Sequence, residues 1–291
     1  MWLVVGSGGQ LGRCMTDLLD QKSIPYIGSP HRALDITDSE EVLDFVGHNK
    51  PSFILNAAAW TNVDSAEDNE AAATRVNGEG AKNLAEAAKR CGARMFHVST
   101  DYVFDGSSST PYSVDDLAQP INAYGRSKRA GEIAVHQIGE GNFPIVRTAW
   151  LYSQYRKNLL TTFAAKAMAG EEVRVVDDQV GQPTSAHDLA KFVLHLSSFP
   201  TLPPIIHGTN SGSASRYEFV RELYTSLGAD SELVSAVNHD VFPTQAARPM
   251  YSVLGHDDLV SYGITPMQDW KKGLAECLPL SRNVPTEVEL K

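Results

Sequence analysis

The chain has 291 residues, of which 42% are hydrophobic and 21% are charged, a composition typical of a globular protein of one large or two smaller domains. Its formal net charge of -10 at pH 7 argues against a general affinity for nucleic acid or for an anionic membrane surface. A small anionic ligand is still compatible with this charge, because it needs only local donors.

The N-terminal segment has the pattern of a strand, a glycine turn and a helix. The apolar run Trp2–Val5 is followed by Gly6, Gly9 and Gly12, and then by a helical pattern through Leu19. Glycines at this spacing permit a tight turn and let the backbone approach a diphosphate. The helix N-terminus offers unpaired N–H groups to that anion. The pattern therefore favours dinucleotide binding over a merely structural turn.

The second predicted strand ends at Gly28, where dinucleotide-binding domains often carry an acid that binds the adenosine ribose. No acid is present, and Ser29, His31 and Arg32 follow instead. These side chains suit a ribose 2′-phosphate and favour NADPH over NADH, although an arginine here is also compatible with a solvated surface. Asp35 comes next and is a candidate contact to the adenine edge.

Strands and helices alternate through the first half of the chain. Apolar strands are predicted at 53–59, 95–98 and 143–148, with an Ala-rich helix ending near Cys91 and another helix beginning near Ala123. This alternation predicts an α/β fold with a Rossmann-type, doubly wound parallel sheet. Ligands of such sheets bind at the carboxyl ends of the strands.

Tyr124 and Lys128 lie four residues apart on the helix that begins near Ala123, and therefore on one face. A phenol titrates near pH 10, and lowering its pKa by about three units requires roughly 4 kcal/mol. An ammonium about 4 Å away supplies energy of that order at an effective dielectric near 20. The pair can make the tyrosine a general acid/base, although the same spacing also occurs on solvated helices.

The second half of the chain has a looser pattern. Helices are predicted at Leu159–Met168, Ala186–Leu196, 217–227 and 270–278, and short strands at Val173–Val176 and Ile205–His207. We expect residues 1–150 to form an NAD(P)-binding domain and residues 151–291 a smaller substrate-binding lobe. A helix near 186–199 is expected to pack back on the first domain, and residues 285–291 to form a frayed tail.

Cysteine and histidine spacing gives no sign of a disulfide framework or a metal site. The three cysteines lie far apart without a Cys-x-x-Cys pair, which suits a reducing cytoplasm. The nine histidines are scattered, without His-Glu-x-x-His. The start lacks the pattern of a signal peptide, and no stretch has the length of a membrane span. We therefore expect a cytoplasmic protein without a membrane partner.

Further motifs extend the pattern along the chain. The segments that carry it are Gly9-Gln-Leu-Gly12, Asn56-Ala-Ala-Ala, Val63-Asp-x-Ala-Glu67, Ser99-Thr-Asp-Tyr-Val-Phe-Asp-Gly106, Tyr124-Gly-x-Ser-Lys128, Arg147-Thr-Ala-Trp150, Asn158-Leu, Asp178-Gln-x-Gly-x-Pro-Thr184 and Arg248-Pro249. In this order they resemble the dTDP-4-dehydrorhamnose reductase family, within the extended short-chain dehydrogenase/reductase superfamily. The resemblance spans nearly the whole chain.

The resemblance implies NAD(P)H-dependent reduction of the C4 ketone of dTDP-4-dehydro-L-rhamnose to dTDP-L-rhamnose. Tyr124 would give the proton, Lys128 would lower its pKa and hold the nicotinamide ribose, and Thr100 would bind the ketone oxygen. The expected NADPH site, with NADH possible, consists of Gly6, Gly9, Gln10, Leu11, Gly12, Ser29, Arg32, Asp35, Ile36, Ala59, Trp60, Thr61, Tyr124 and Lys128. The expected dTDP-sugar site consists of Val63, Thr100, Asp101, Tyr102, Tyr124, Trp150, Asn158 and Arg248.

One departure from the family pattern concerns assembly. Some members dimerise through a magnesium ion held by carboxylates on the first helix and on a later one. Here those positions offer Cys14, and His187 or Asp188, and a neutral thiol is a poor magnesium ligand. We expect no metal and no metal-bridged dimer, but a monomer or weak homodimer.

Other functions of the superfamily remain alternatives. A 4,6-dehydratase is disfavoured, because Tyr102 rather than a glutamate follows Asp101. A reductase or epimerase of another nucleotide-4-keto-6-deoxy sugar stays open. So does a non-catalytic NADP-binding regulatory subunit, against which the presence of Thr100, Tyr124 and Lys128 argues.

Overall fold

The structure is a computed structural model that describes residues 1–281, so the tail expected at 285–291 lies outside the described range. Its strands are β1 (Trp2–Val5), β2 (Tyr26–Ser29), β3 (Phe53–Asn56), β4 (Arg94–Thr100), β5 (Ile145–Thr148), β6 (Leu151–Tyr152), β7 (Val173–Val176), β8 (Val180–Gly181), β9 (Thr184–Ser185), β10 (Ile205–His207), β11 (Asn210–Ser211), β12 (Ala214–Ser215), β13 (Val234–Val237) and β14 (Met267–Asp269).

The helices connect these strands along the chain. They are α1 (Gln10–Gln21), α2 (Ser39–Asn49), α3 (Val63–Asp68), α4 (Glu70–Thr74), α5 (Gly80–Cys91), α6 (Ala123–Gly139), α7 (Leu159–Met168), α8 (Ala186–Leu196), α9 (Arg216–Leu227), α10 (Asp257–Ser261) and α11 (Trp270–Ser281). A π-helical turn, Arg75–Glu79, joins α4 to α5. Within residues 1–281, no helix is both long and apolar enough to cross a bilayer.

Six strands form one parallel sheet in the order β10-β5-β4-β3-β1-β2. The chain leaves β1 to one side for β2 and returns to the other side for β3, so the strand order reverses between β1 and β3. Helix crossovers diverge at such a reversal and leave a crevice at the carboxyl ends of the strands. The α/β fold with a doubly wound parallel sheet is thus confirmed.

Alternate residues of the central strands supply two separate cores, one on each face of the sheet. In β1, Trp2 and Val4 belong to the core that α1 and α8 cover, and Leu3 and Val5 to the core that α2, α5 and α6 cover. Both faces are therefore apolar, which explains why β1 is a continuous hydrophobic run. Each buried aliphatic side chain contributes about 1.5–3 kcal/mol.

The second half of the chain both joins this sheet and builds a core of its own. β10 pairs with β5 in parallel, from Ile205↔Ile145 to His207↔Arg147, and α8 packs with α1 in the first core. A third core is formed by α7, α9 and α11 around Phe219 and Trp270. The division into residues 1–150 and 151–291 stays a prediction.

Helix α6 approaches the sheet and its neighbours closely. A Cβ at Gly125 would lie 2.1 Å from the Tyr102 carbonyl oxygen, and one at Gly131 would lie 2.2 Å from the Asn77 carbonyl oxygen. The Asn122 side chain caps the helix by accepting a hydrogen bond from the Gly125 N–H at 2.8 Å. Only glycine permits this approach, which sets the position of everything that α6 carries.

Replacing Gly125 with alanine should therefore destabilise the protein. The backbone of Tyr102 cannot move aside as a flexible side chain can, and we expect a loss of about 1–3 kcal/mol in the free energy of unfolding. Gly47→Ala, at an exposed position of α2, is the matched control, since its Cβ would meet nothing within 4 Å. That change should instead add about 0.5–1 kcal/mol. Urea unfolding of both variants would measure the difference, and equal effects would contradict the packing argument.

Candidate active site

The glycine turn between β1 and α1 is shaped by two glycines in particular. Gly6 has a φ of +78°, and a Cβ there would lie 2.7 Å from the Ala58 nitrogen. A Cβ at Gly12 would lie 2.3 Å from the Gly6 carbonyl oxygen. Gly9 is the N-cap residue of α1 and has no side chain with which to cap it. The turn thus brings bare backbone and an uncapped helix N-terminus to the crevice where the strand order reverses, a combination that fits a diphosphate.

The end of β2 follows the turn. The Ser29 carbonyl oxygen accepts hydrogen bonds from the N–H groups of Gly6 (2.8 Å) and Ser7 (3.2 Å). The Ser29 hydroxyl is buried, and it has no hydrogen-bond partner within residues 1–281. Arg32 lies exposed in a short 3-10 turn, His31–Ala33. A buried hydroxyl and an exposed cation therefore flank this strand end.

The side chains of Asp35 and Ile36 are engaged within the protein. The Asp35 carboxylate accepts hydrogen bonds from the Thr37 N–H (2.9 Å) and hydroxyl (2.8 Å), which hold its pKa below the usual range. Ile36 is buried, and a Cβ at Gly80 would lie 2.6 Å from its side chain. Both hydrogen bonds to Asp35 are to Oδ1, so its Oδ2 and the backbone of this pair remain for an adenine.

The first turn of α1 also faces the protein. The Leu11 side chain is buried in the first core and so anchors the glycine turn to the sheet. The Gln10 amide accepts a hydrogen bond from the Ser153 hydroxyl at 3.0 Å and donates one to the Leu151 carbonyl at 3.4 Å. Gln10 therefore ties the glycine turn to the second half of the chain.

Asn77 is a residue of this region that the sequence reasoning missed. Its amide accepts from the Trp60 N–H (2.8 Å) and donates to the Trp60 carbonyl (3.1 Å) and to the Ser127 hydroxyl (2.8 Å). Ser127 in turn donates to the Tyr124 carbonyl at 2.7 Å. The π-helical turn places Asn77 here, and such turns are frequent at functional sites. In the sequence, only an asparagine within an Ala-rich helix hints at this role.

The loop after β3 is held by the Asn77 side-chain amide through the backbone of Trp60. Ala59 and Trp60 are half-buried and Thr61 is exposed, so the three residues form part of the rim of the crevice. The Trp60 indole N–H donates to the Asn62 carbonyl at 3.1 Å. The loop thus lies along the end of β3 beside the first turn of α6.

Tyr124 and Thr100 meet at the carboxyl end of β4. Tyr124 lies in the first turn of α6, and Thr100 is the last residue of β4. The Thr100 and Tyr124 side chains are hydrogen-bonded to each other. Burial raises the pKa of the Tyr124 phenol well above its usual value. The sequence argument expected Lys128 to lower it, but the Lys128 ammonium donates to the Val98 carbonyl at 2.6 Å, and burial lowers its own pKa to about 8. The phenol is therefore fully protonated at neutral pH.

Asp101 and Tyr102 continue the chain from Thr100. The Asp101 carboxyl accepts hydrogen bonds from the hydroxyls of Thr100 (3.0 Å) and Ser252 (2.6 Å), and burial raises its pKa to about 6. The Tyr102 ring meets the Tyr124 ring edge to face, with centroids 5.9 Å apart. Ser252 comes from the second half of the chain, and no sequence pattern predicted it.

Trp150 has a backbone φ of +43° and is packed between two residues of the second half. A Cβ at Gly181 would lie 2.6 Å from its ring. The Arg216 guanidinium carbon lies 4.4 Å from the ring centroid, a cation–π contact. Arg216 is also hydrogen-bonded to Tyr102. It is a second residue of the site that the sequence reasoning missed.

The other three residues expected to meet the substrate differ in what they do. Val63 is half-buried at the start of α3. The Asn158 amide nitrogen donates to the Ser153 carbonyl at 2.8 Å, and its amide oxygen caps α7. Both polar atoms of this side chain are thus used in contacts within the protein. Arg248 donates to the Asp64 carboxylate at 2.7 Å. We therefore leave Asn158 out of the proposed site and treat Arg248 mainly as the anchor of its loop.

Comparison with known proteins identifies the family of this site. A family model described as the RmlD substrate binding domain matches residues 1–282. The chain belongs to the RmlD family. The resemblance predicted from the motifs is confirmed.

Relatives of this RmlD family member are alike over nearly their full length. It is 42% identical to a dTDP-4-keto-6-deoxy-D-glucose reductase of Streptomyces niveus, over 96% of each chain. It is 40% identical to a dTDP-4-dehydrorhamnose reductase of Streptomyces griseus, over 96% of this chain and 93% of that one. A solved dTDP-4-dehydrorhamnose reductase of Bacillus anthracis str. Ames, in complex with NADP, is 34% identical, with a TM-score of 0.92 over 96% and 98% of the two chains.

The positions where some relatives in the superfamily would hold magnesium carry other contacts in this RmlD protein. Burial raises the pKa of the Cys14 thiol. His187 Nε2 lies 2.7 Å from the Gln154 amide oxygen, and the Asp188 carboxylate accepts from the Asn210 amide at 2.9 Å. Within residues 1–281, no group of three or more His, Cys, Asp or Glu side chains is arranged to hold a metal ion. The absence of a metal-bridged dimer stays a prediction.

The raised pKa of Asp101 predicts a pH-dependent stability. The pKa of Asp101 is about 6 in the folded protein and 3.8 ordinarily. The stability that the protonated carboxyl contributes is therefore fully present below pH 3.8 and is lost as the pH rises through 6. Ionisation costs up to about 3 kcal/mol. Asp101→Asn removes this cost, so its free energy of unfolding relative to wild type should rise by about 1–2 kcal/mol between pH 5 and pH 8.

Urea unfolding at the two pH values would measure the effect. Asp35→Asn is the control of opposite sign, since hydrogen bonds from Thr37 lower the pKa of Asp35. That variant should be less stable than wild type by the same amount at both pH values, because the Asp35 carboxyl is ionised in the folded and in the unfolded protein throughout this range. Identical pH profiles for Asp101→Asn and wild type would contradict the assignment.

Proposed function

We propose that this protein reduces the C4 ketone of a dTDP-4-keto-6-deoxy sugar with NADPH, and that dTDP-4-dehydro-L-rhamnose is its substrate. The observation that carries the proposal is the half-buried, protonated Tyr124 hydrogen-bonded to Thr100, with Lys128 one helical turn further along α6. These groups lie at the carboxyl ends of the strands, the same edge of the sheet as the glycine turn.

The described residues fit a dinucleotide. The Gly6–Gly12 turn would hold the diphosphate, the buried Ser29 hydroxyl and exposed Arg32 would hold the 2′-phosphate, and Lys128 would bind the nicotinamide ribose. When bound, NADPH supplies the hydride for the reduction. The solved Bacillus anthracis relative, with its NADP, supports this choice.

The protein's own residues supply the proton and the geometry. A reduced C4 oxygen carries developing negative charge and must receive a proton. Tyr124 holds that proton at neutral pH, because a phenol ordinarily titrates near pH 10 and burial raises the pKa of this one further. Thr100 lies between Tyr124 and Asp101 and donates its hydroxyl proton to Asp101, so rotation of that hydroxyl would let it donate to the same oxygen when the substrate binds. Tyr102 fixes the Tyr124 ring from the side.

The identity of the sugar is the finer part of the proposal. The Streptomyces griseus relative is a dTDP-4-dehydrorhamnose reductase, as the family resemblance implies. The Streptomyces niveus relative, at 42% identity, is a dTDP-4-keto-6-deoxy-D-glucose reductase, which makes that ketosugar the second candidate. The two sugars differ in ring stereochemistry and not in the reacting ketone. We also propose that the enzyme works in the cytoplasm as a monomer or weak dimer.

The deciding experiment follows NADPH oxidation with each ketosugar, with NADH in parallel. We expect turnover with dTDP-4-dehydro-L-rhamnose at a higher kcat/KM than with dTDP-4-keto-6-deoxy-D-glucose. The reverse order would assign the second sugar. No oxidation with either, from folded protein that binds NADPH, would overturn the reductase function and favour a regulatory NADP-binding subunit.

Tyr124→Phe tests the proton donor. General acid catalysis contributes about 10²- to 10⁴-fold, so kcat should fall by that factor while the Kd for NADPH stays nearly unchanged. Tyr262→Phe is the matched control, because that tyrosine is 48% exposed on the surface. Near-full turnover by Tyr124→Phe would require another acid.

Arg32→Ala tests the cofactor preference. Loss of a charged contact to the 2′-phosphate should raise the KM for NADPH about 10-fold or more, and leave the KM for NADH within about 2-fold. Arg90→Ala, at an exposed arginine in the last turn of α5, is the control for a simple change of surface charge. Equal effects of Arg32→Ala on both cofactors would reduce Arg32 to a surface residue.

A further inference from the structure

Arg216 is delivered to the site by the second half of the chain. It is the first residue of α9, directly after β12, which pairs antiparallel with β8 through Ala214↔Gly181 and Ser215↔Val180. That register places Arg216 beside Gln179, whose amide oxygen accepts a hydrogen bond from its Nε at 3.1 Å. The ladder and the helix start together fix where the guanidinium lies.

The guanidinium lies among the residues around the proposed proton donor. It covers the Trp150 ring at 4.4 Å and is hydrogen-bonded to Tyr102. The Tyr102 ring contacts the Tyr124 ring at 5.9 Å between centroids. A cation from the second half of the chain is thus one aromatic ring away from Tyr124.

Arg216 has no carboxylate in direct contact within the described residues, unlike several other arginines of this protein. Arg147, Arg248 and Arg221 each lie within 4.0 Å of a carboxylate, whereas within residues 1–281 no carboxylate oxygen comes that close to Arg216. Arg216 is half-buried, and although its charge acts on the Asp101 carboxyl and counteracts the rise of that group's pKa, no ion pair joins the two side chains. A guanidinium has five N–H donors, and its contacts with one amide and one phenol do not saturate them.

We propose that Arg216 is a substrate-positioning residue, which donates hydrogen bonds to the oxygen atoms of the glycosyl diphosphate of the substrate. This inference rests on the proposed function for its ligand class. Diphosphate and sugar oxygens are the acceptors that a dTDP-sugar would bring to this part of the site, and a planar fork of N–H donors suits them. Stacking on Trp150 fixes the plane of the fork before the ligand arrives.

The test compares Arg216→Gln with Arg221→Gln, which removes the same charge from the same helix at a surface position paired with Glu232. A charge-assisted hydrogen bond is worth about 10- to 100-fold in affinity. Calorimetry should therefore show that Arg216→Gln weakens binding of dTDP-L-rhamnose by about 10- to 100-fold, while NADPH binding and thermal unfolding stay as in wild type. Arg221→Gln should leave all three unchanged.

Two further measurements locate the contact and separate it from a structural role. Weaker binding of dTDP alone would place the contact on the diphosphate, and unchanged dTDP binding would place it on the sugar. Arg216→Lys keeps the charge and loses the fork, so it should recover part of the affinity. With the ketosugar, Arg216→Gln should raise KM more than it lowers kcat.

Equal binding of dTDP-L-rhamnose by wild type, Arg216→Gln and Arg221→Gln would overturn the inference and leave the proposed function intact. Absence of dTDP and dTDP-L-rhamnose binding to wild-type protein would instead overturn the ligand class itself. If Arg216→Gln does not fold, Arg216→Lys is compared with wild type in its place. Wild-type affinity in Arg216→Lys would then contradict the proposed hydrogen bonds from the guanidinium to the ligand.

Discussion

The bidentate ion pair between Glu132 on α6 and Arg147 on β5 holds together the part of the fold on which the site depends. The two side chains are 0% and 1% exposed, with Nε and Nη2 each bonded to a carboxylate oxygen at 2.8–2.9 Å. Removing one partner of such a pair costs about 3–5 kcal/mol. Glu132 lies four and eight residues after Lys128 and Tyr124, so one helix face carries the anchor and both functional groups. Water is excluded from the region around this ion pair, and the same desolvation shifts the pKa values of Tyr124 and Lys128.

The site is completed from distant parts of the chain. Thr100 and Asp101 arrive with β4, and Ser252 and Arg216 come from segments more than a hundred residues away. Each contact alone is weak in water, but burial in one cluster makes the hydrogen bonds stronger and an unpaired group more costly. The second half of the chain is thus more than a cover: it fixes the carboxyl of Asp101 and the ring of Trp150.

The local motifs were predictable because they depend on covalent geometry. Gly6 has a positive φ, and a Cβ at Gly12 would meet the Gly6 carbonyl within the same turn. The roles of Asn77 and Arg216 were not predictable, because they come from pairings between segments that no local period encodes. Asn158 shows the converse: a residue of a recognisable motif whose amide is used to cap α7.

The α/β sheet, the glycine turn and the spacing of Tyr124 and Lys128 follow from the amino-acid order alone, because hydrophobic periodicity, φ preference and helical repeat are local properties. The direction in which the Tyr124 pKa moves depends instead on tertiary packing. The spacing suggested that a nearby ammonium would lower it, but Lys128 donates to the Val98 carbonyl and desolvation of the half-buried Tyr124 raises the pKa. Electrostatic energies depend on distance and desolvation, and packing sets both.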